Sequence, residues 1–155
     1  MKRMTFAVFA TVLLVLTLLS PWNHRAAKAD PKPGQPSLSV YMGHMQRLAH
    51  KLGLSIDAQN GDLAAFYVNE INETVSYISA EYPEYDKVQV GALITAMLTP
   101  YIAPLDKAVK AKDWKTADTA YNTLLTSGCN GCHTATQHGF IKVQRSKTNT
   151  FAQQF

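Results

Sequence analysis

The feature that most constrains the fold of this chain is a five-residue motif near its C-terminus. Residues 129–133 read Cys-Asn-Gly-Cys-His, and the 155-residue chain contains no other cysteine. Cys-x-x-Cys-His is the attachment sequence of a c-type haem. Cys129 and Cys132 can each form a thioether bond with one vinyl group of the haem, and His133 then faces the iron. We therefore expect one covalently attached haem and a fold built around it.

The spacing of the motif agrees with a helical backbone. Residues three apart lie on one face of a helix, so both thiols can reach the same edge of a porphyrin. His133 is one position further along and points about 100° away around the helix axis. Its imidazole can therefore reach the iron beneath the macrocycle.

Two other interpretations of the cysteines stay open. A thioredoxin-like redox pair is expected beside a βαβ pattern, which the sequence lacks. A zinc site could take Cys129, Cys132, His133 and His138 as four ligands. Two of these ligands are adjacent and His138 is distant, which fits poorly with the paired knuckles of zinc sites.

The N-terminal residues have the pattern of a secretory signal. Lys2 and Arg3 precede an uncharged apolar run over residues 5–19, and Ala27-Lys28-Ala29 is a small-x-small cleavage site. This pattern predicts a signal peptide over residues 1–29, cleaved after Ala29, and export to the periplasm, where c-type haem is attached. The apolar run is shorter than the roughly 20 residues of a membrane span, although an uncleaved anchor is the alternative.

The formal net charge of +4 belongs to the whole chain and not to its mature part. The first 29 residues hold four bases and no acid, so removing them leaves 11 bases against 11 acids. A neutral mature chain gives no argument for nucleic-acid binding. Its charges are segregated, with seven acids and no base over residues 53–86 and three bases and no acid after Asp118. Such a dipolar surface could orient a redox partner.

Apolar residues recur at spacings of three and four from Ser37 onwards, which indicates amphipathic helices. The pattern predicts helices over about 37–58, 62–81 and 88–110, and a last helix from residue 113 into the motif. For the second helix, the residues predicted to face inward are Ala64, Tyr67, Val68, Ile71, Val75, Ile78 and Tyr82.

Individual residues predict where these helices begin and where they are interrupted. Asp62 and Asp113 are expected as the N-cap residues of the second and fourth helices. Pro100 and Pro104 each remove a backbone hydrogen bond from the third helix. We therefore expect a kink or a break near Thr99.

Four amphipathic helices with short connections predict an all-α fold, an antiparallel four-helix bundle that encloses one covalent haem. A Pro-rich linker over residues 30–36 precedes the bundle domain, which covers residues 37–140. Residues 141–155 form a basic C-terminal tail, in which Phe151 and Phe155 are candidate docking points.

A single haem motif on the last helix of such a bundle resembles the class II c-type cytochromes, the cytochrome c′ and cytochrome c-556 group. The resemblance covers about Ser37 to Phe140. It implies that Cys129 and Cys132 carry the thioethers and that His133 is the proximal ligand. Thr134-Ala135-Thr136-Gln137 follows the motif where cytochromes c′ have a basic residue, so the chain departs from the family pattern there.

The family divides by the group that occupies the sixth position of the iron. Cytochromes c′ have no protein ligand there, whereas members similar to cytochrome c-556 use a methionine of the first helix. Here that helix offers Met42 and Met45, and Met45 lies nearest the middle of the apolar stripe. We therefore expect His133 and Met45 as the metal ligands, although methionine on such a stripe also serves as core filling. Met42, an open position, and a histidine such as His44 or His50 are the alternatives.

These expectations describe a periplasmic electron-transfer protein without enzymatic activity. Its partners would be redox proteins that the sequence does not identify, with no nucleic acid and no stable membrane insertion of the mature chain. A homodimer is one option for the oligomeric state. The alternative function is a five-coordinate, cytochrome c′-like protein that binds NO or CO.

Overall fold

The fold is described from a computed structural model of the chain, which places residues 33–155. The predicted signal peptide over residues 1–29, its cleavage site and the first part of the linker lie outside the described residues. Within residues 33–155 no helix combines the length and the apolar character needed to cross a bilayer.

The predicted all-α fold is confirmed for the described part of the chain. Its elements are α1 (Leu38–Asp57), α2 (Gly61–Glu81), α3 (Val90–Lys110), α4 (Trp114–Thr123), a π-helical segment (Leu124–Cys129) and α5 (Asn130–Ala135). The last three form one continuous path, because Leu124 and Asn130 keep right-handed helical dihedral angles at the two junctions. The connection between α2 and α3 contains a tight turn, closed by an isolated bridge between Tyr85 and Val88.

The helices pack around one hydrophobic core. α1 packs on α2, α2 on α3 and α3 on α4, and α1 also contacts α4. All the residues of α2 that were predicted to face inward are buried, as is Tyr82 directly after it. Tyr121 of α4 is a large, fully buried side chain, and its hydroxyl donates to the backbone carbonyl of Ala49 in α1 at 2.9 Å.

Two N-caps were predicted, and one of them is confirmed. Asp113 caps α4, and its carboxylate accepts a hydrogen bond from the Thr116 backbone N–H at 3.1 Å. The side-chain and backbone hydrogen bonds from Thr116 lower the pKa of Asp113. The prediction for Asp62 was wrong, because α2 begins earlier than expected. Asn60 is its N-cap and accepts from the Leu63 N–H at 3.2 Å.

Of the kink or break predicted near Thr99, the break does not occur. α3 runs from Val90 to Lys110 and contains both Pro100 and Pro104. The two prolines are exposed, while Leu98, Ile102 and Leu105 are buried. Burial of the apolar face on both sides of the prolines stabilises the helix across the missing backbone hydrogen bonds.

Gly53 and Gly43 provide a matched test of the packing between α1 and α4. A Cβ atom at Gly53 would lie 2.7 Å from the hydroxyl oxygen of the buried Tyr121, whereas a Cβ at Gly43 meets nothing within 4 Å. We expect Gly53→Ala to lower the free energy of unfolding by about 1–3 kcal/mol through overpacking. Gly43→Ala should raise it by up to about 1 kcal/mol, because alanine is the better helix former.

Urea denaturation followed by circular dichroism measures both changes. Equal stability of the two variants would contradict the close approach of α1 to Tyr121.

Candidate functional site

The Cys-x-x-Cys-His motif spans a change of helix type. Cys129 is the last residue of the π-helical segment, and Cys132 and His133 belong to α5. The Asn130 backbone N–H donates to the Leu125 carbonyl, five residues earlier, as a π-helical turn requires. Single π-helical turns occur frequently at functional sites. The wider turn changes the direction of the motif relative to α4, which a helical projection with 3.6 residues per turn could not predict.

Two glycines allow α3 to approach the motif closely. A Cβ atom at Gly128 would lie 3.3 Å from Cδ2 of Tyr101, and one at Gly131 would lie 3.0 Å from Cε of Met97. The small residues therefore leave space for side chains of α3. No local pattern in the sequence connects Met97 with the motif, because the contact joins two segments that are distant along the chain.

Both cysteines are free thiols that pack at the margin of the core. Burial raises the pKa of Cys129 to about 11 and also raises the pKa of Cys132. The thiols are therefore protonated at neutral pH. A redox-active Cys-x-x-Cys pair has the opposite property, a lowered thiol pKa, so these surroundings count against a thioredoxin-like site.

The backbone orients the imidazole of His133. Nδ1 lies 2.9 Å from the carbonyl oxygen of Ile141. A carbonyl can only accept a hydrogen bond, so Nδ1 carries a proton, and in the neutral imidazole Nε2 keeps its lone pair. Metal-binding histidines typically have this arrangement, in which the second ring nitrogen donates to a carbonyl or a carboxylate.

The zinc interpretation is not favoured by the geometry. Among residues 33–155, no three side chains of the histidine, cysteine, aspartate and glutamate types converge as a metal site. His138, the fourth ligand of that interpretation, is exposed and directs Nδ1 to the Thr136 carbonyl at 2.7 Å.

The candidates for the sixth ligand all lie on α1. Met45 is 7 % exposed and belongs to the core, and Met42 is half-buried at its edge. His44 interacts through Nδ1 with the Arg47 guanidinium at 3.1 Å. His50 is engaged by the C-terminal tail, since its Nε2 lies 3.0 Å from the Thr148 carbonyl.

The donor atoms of the motif fit a covalent haem. Two unpaired thiols are available for the thioethers, and Nε2 of His133 is available for the iron. A cleft of about 600 Å³ lies between α1, α2 and the C-terminal tail. None of the motif residues lines this cleft, so it is not where the motif would attach the porphyrin.

The comparisons with known proteins identify no relative: no protein-family model, no curated protein and no solved structure matches this chain. Support for a function therefore comes from the motif and from its surroundings in the fold.

The buried thiols predict slow alkylation of the chain when it carries no haem. At pH 7.5 iodoacetamide should modify Cys129 and Cys132 more slowly than it modifies the urea-unfolded chain, because the thiolate is the nucleophile. The rate at Cys129 should reach half of its maximum near pH 11, whereas the unfolded thiols should reach half of theirs near their ordinary pKa of 9.0. Mass spectrometry measures both rates, and equal rates in the folded and unfolded chains would contradict the burial.

Proposed function

We propose that this chain is a monohaem c-type cytochrome that transfers electrons in the periplasm. The observation that supports it best is the motif itself, with two free thiols and a histidine whose Nδ1 is bonded to a carbonyl. Haem attached there would supply an iron that cycles between Fe(II) and Fe(III). The chain's own residues anchor the group at Cys129 and Cys132 and present Nε2 of His133 to the metal.

The proposed architecture is an antiparallel four-helix bundle that encloses the haem. It is supported by the order in which the helices pack, since each long helix contacts its neighbours in sequence and α1 also contacts α4. The inward face of the α4 path leads directly into the motif, because Leu124, Leu125 and Gly128 are buried immediately before Cys129. Haem would extend the apolar core at that end.

We propose Met45 as the sixth ligand, which makes the protein a low-spin electron carrier. Met45 is the most buried methionine of α1 and lies on its apolar face. A thioether paired with an imidazole raises the reduction potential, because the soft sulfur favours Fe(II). The same ligand would close the sixth position to small gases.

Charge on the surface supports a role with protein partners. On α2, Asp62 and Glu73 are exposed and Glu70 is partly exposed. Lys142 and Lys147 are exposed in the tail. Opposite charge on separate segments orients an encounter at low ionic strength and steers association with a charged redox protein.

Haem staining and histidine substitution test the covalent cytochrome. After acid-acetone extraction and denaturing electrophoresis, protein from cells competent in cytochrome c maturation should give a haem-stained band. His133→Ala should abolish the native optical spectrum, because Nε2 is lost. His138→Ala is the matched control and should leave the spectrum nearly unchanged, since His138 is exposed and bonds locally.

An unstained wild-type band would exclude the covalent haem. A greater loss of the spectrum in His138→Ala than in His133→Ala would show that His133 is not the proximal ligand.

Substitution of methionines decides between electron transfer and gas binding. Met45→Ala should convert a low-spin spectrum to high-spin and allow the reduced protein to bind carbon monoxide. Met42→Ala should have a milder effect, and Met97→Ala controls for the loss of a methionine that contacts the motif at Gly131. If the reduced wild-type protein is already high-spin and binds carbon monoxide readily, Met45 is core filling and the protein is a five-coordinate gas binder.

A further inference from the structure

The side chain of Asn130, between the two cysteines, is bonded to the chain that follows the motif. Its Nδ2 donates to the carbonyl of Val143 at 2.9 Å, and its Oδ1 accepts from the Val143 N–H at 2.8 Å. Both polar atoms of the side-chain amide thus bond the backbone of one residue, thirteen positions away. This pairing ties residue 143 to the start of α5.

Val143 lies two residues beyond Ile141, whose carbonyl orients His133. Ile141 is 48 % exposed and Phe140 is 79 % exposed, so burial of these side chains does not hold the backbone in place. Hydrogen bonds hold it instead, with the Ile141 N–H donating to the His138 carbonyl at 2.8 Å on one side. The Asn130–Val143 pair holds it on the other side.

Arg145 anchors the same segment to the body of the fold. Its guanidinium bonds Asp57 at the end of α1 and Asp118 of α4, each at 2.5 Å. It also lies over the ring of Tyr121, with 5.1 Å from Cζ to the ring centroid. The Arg145 side chain is only 15 % exposed, so this anchor is largely buried.

We propose that residues 141–145 form a clamp that is positioned by Asn130 and anchored by Arg145. The clamp holds the Ile141 carbonyl on Nδ1 of His133 and so determines which nitrogen His133 offers to the iron. The Asn130 side chain bonds Val143 and therefore acts on His133 through the backbone of residues 141–143. The role in electron transfer rests on the proposed function, whereas the position of the proton on His133 does not.

The clamp has an electronic consequence in a haem protein. A hydrogen bond from Nδ1 makes the imidazole a stronger electron donor and raises its basicity as a ligand. A stronger donor stabilises Fe(III) relative to Fe(II), which lowers the reduction potential. Loosening the clamp should therefore raise the potential.

Nitrogen NMR of the mature chain without haem tests the clamp directly. The ¹⁵N shifts of the His133 ring should show the proton on Nδ1, with the signal identified by its loss in His133→Gln. Asn130→Ala should move the shifts towards a mixture of tautomers. Asn69→Ala is the matched control, because Asn69 is exposed on α2 and its side chain bonds Glu73 in the same helix.

Two gentler substitutions keep the test decisive if Asn130→Ala fails to fold. Asn130→Asp retains the shape of the side chain but loses the donor to Val143, and Arg145→Gln removes the ion pairs with Asp57 and Asp118. Both should shift the His133 tautomer in the same direction, and Arg47→Gln should not. A folded Asn130 variant in which His133 keeps its proton on Nδ1 would overturn the proposal.

The midpoint potential of the haem-loaded protein is the second readout. Asn130→Ala and Arg145→Gln should give a more positive potential than wild type, while Asn69→Ala and Arg47→Gln should match wild type. An unchanged potential in both clamp variants would overturn the electronic role. If the chain attaches no haem, the proposed function fails, but the tautomer measurement still decides whether the clamp exists.

Discussion

The buried side chain of Tyr121 joins the parts of the molecule on which the site depends. Its hydroxyl donates to the Ala49 carbonyl in α1, and its ring packs against Gly53 and beneath Arg145. Burial raises the pKa of Tyr121 to about 12, so the phenol stays a neutral donor throughout the neutral range. The same residue therefore fixes α1 against α4 and supports the anchor of the C-terminal segment. Because α4 continues through the π-helical segment into the motif, the position of Tyr121 also sets the position of the cysteines.

The motif lies between two different kinds of contact. α3 approaches it at Gly128 and Gly131, where the absence of a side chain allows close packing. The C-terminal segment approaches it at Asn130 and His133, where the contacts are hydrogen bonds to the backbone. Apolar packing supports the cysteines, and directional bonds orient the histidine. The proposed haem site would need both kinds of contact, one to anchor the group at its edge and one to present a single nitrogen to its metal.

In the folded chain, only part of the positive charge of the C-terminal tail is exposed. Three bases follow Asp118 in the sequence, but Arg145 is paired with Asp57 and Asp118 and is largely buried. Lys142 and Lys147 are exposed and are the tail charges available to a partner. Further along, Lys51 and Tyr67 both bond the side chain of Gln153, so the tail continues across α1 and α2. The tail therefore packs against two helices in addition to carrying charge.

The sequence by itself determined the helices, the inward face of α2 and the cap at Asp113, because each depends on neighbours within about a turn. It could not place the cap at Asn60, the unbroken α3 or the π-helical turn, since there packing outweighs local preference. The sequence also could not predict that Met97 lies beside Gly131 or that the Ile141 carbonyl contacts His133. Such contacts join segments whose separation in sequence carries no periodic signal, so only the tertiary structure decided them.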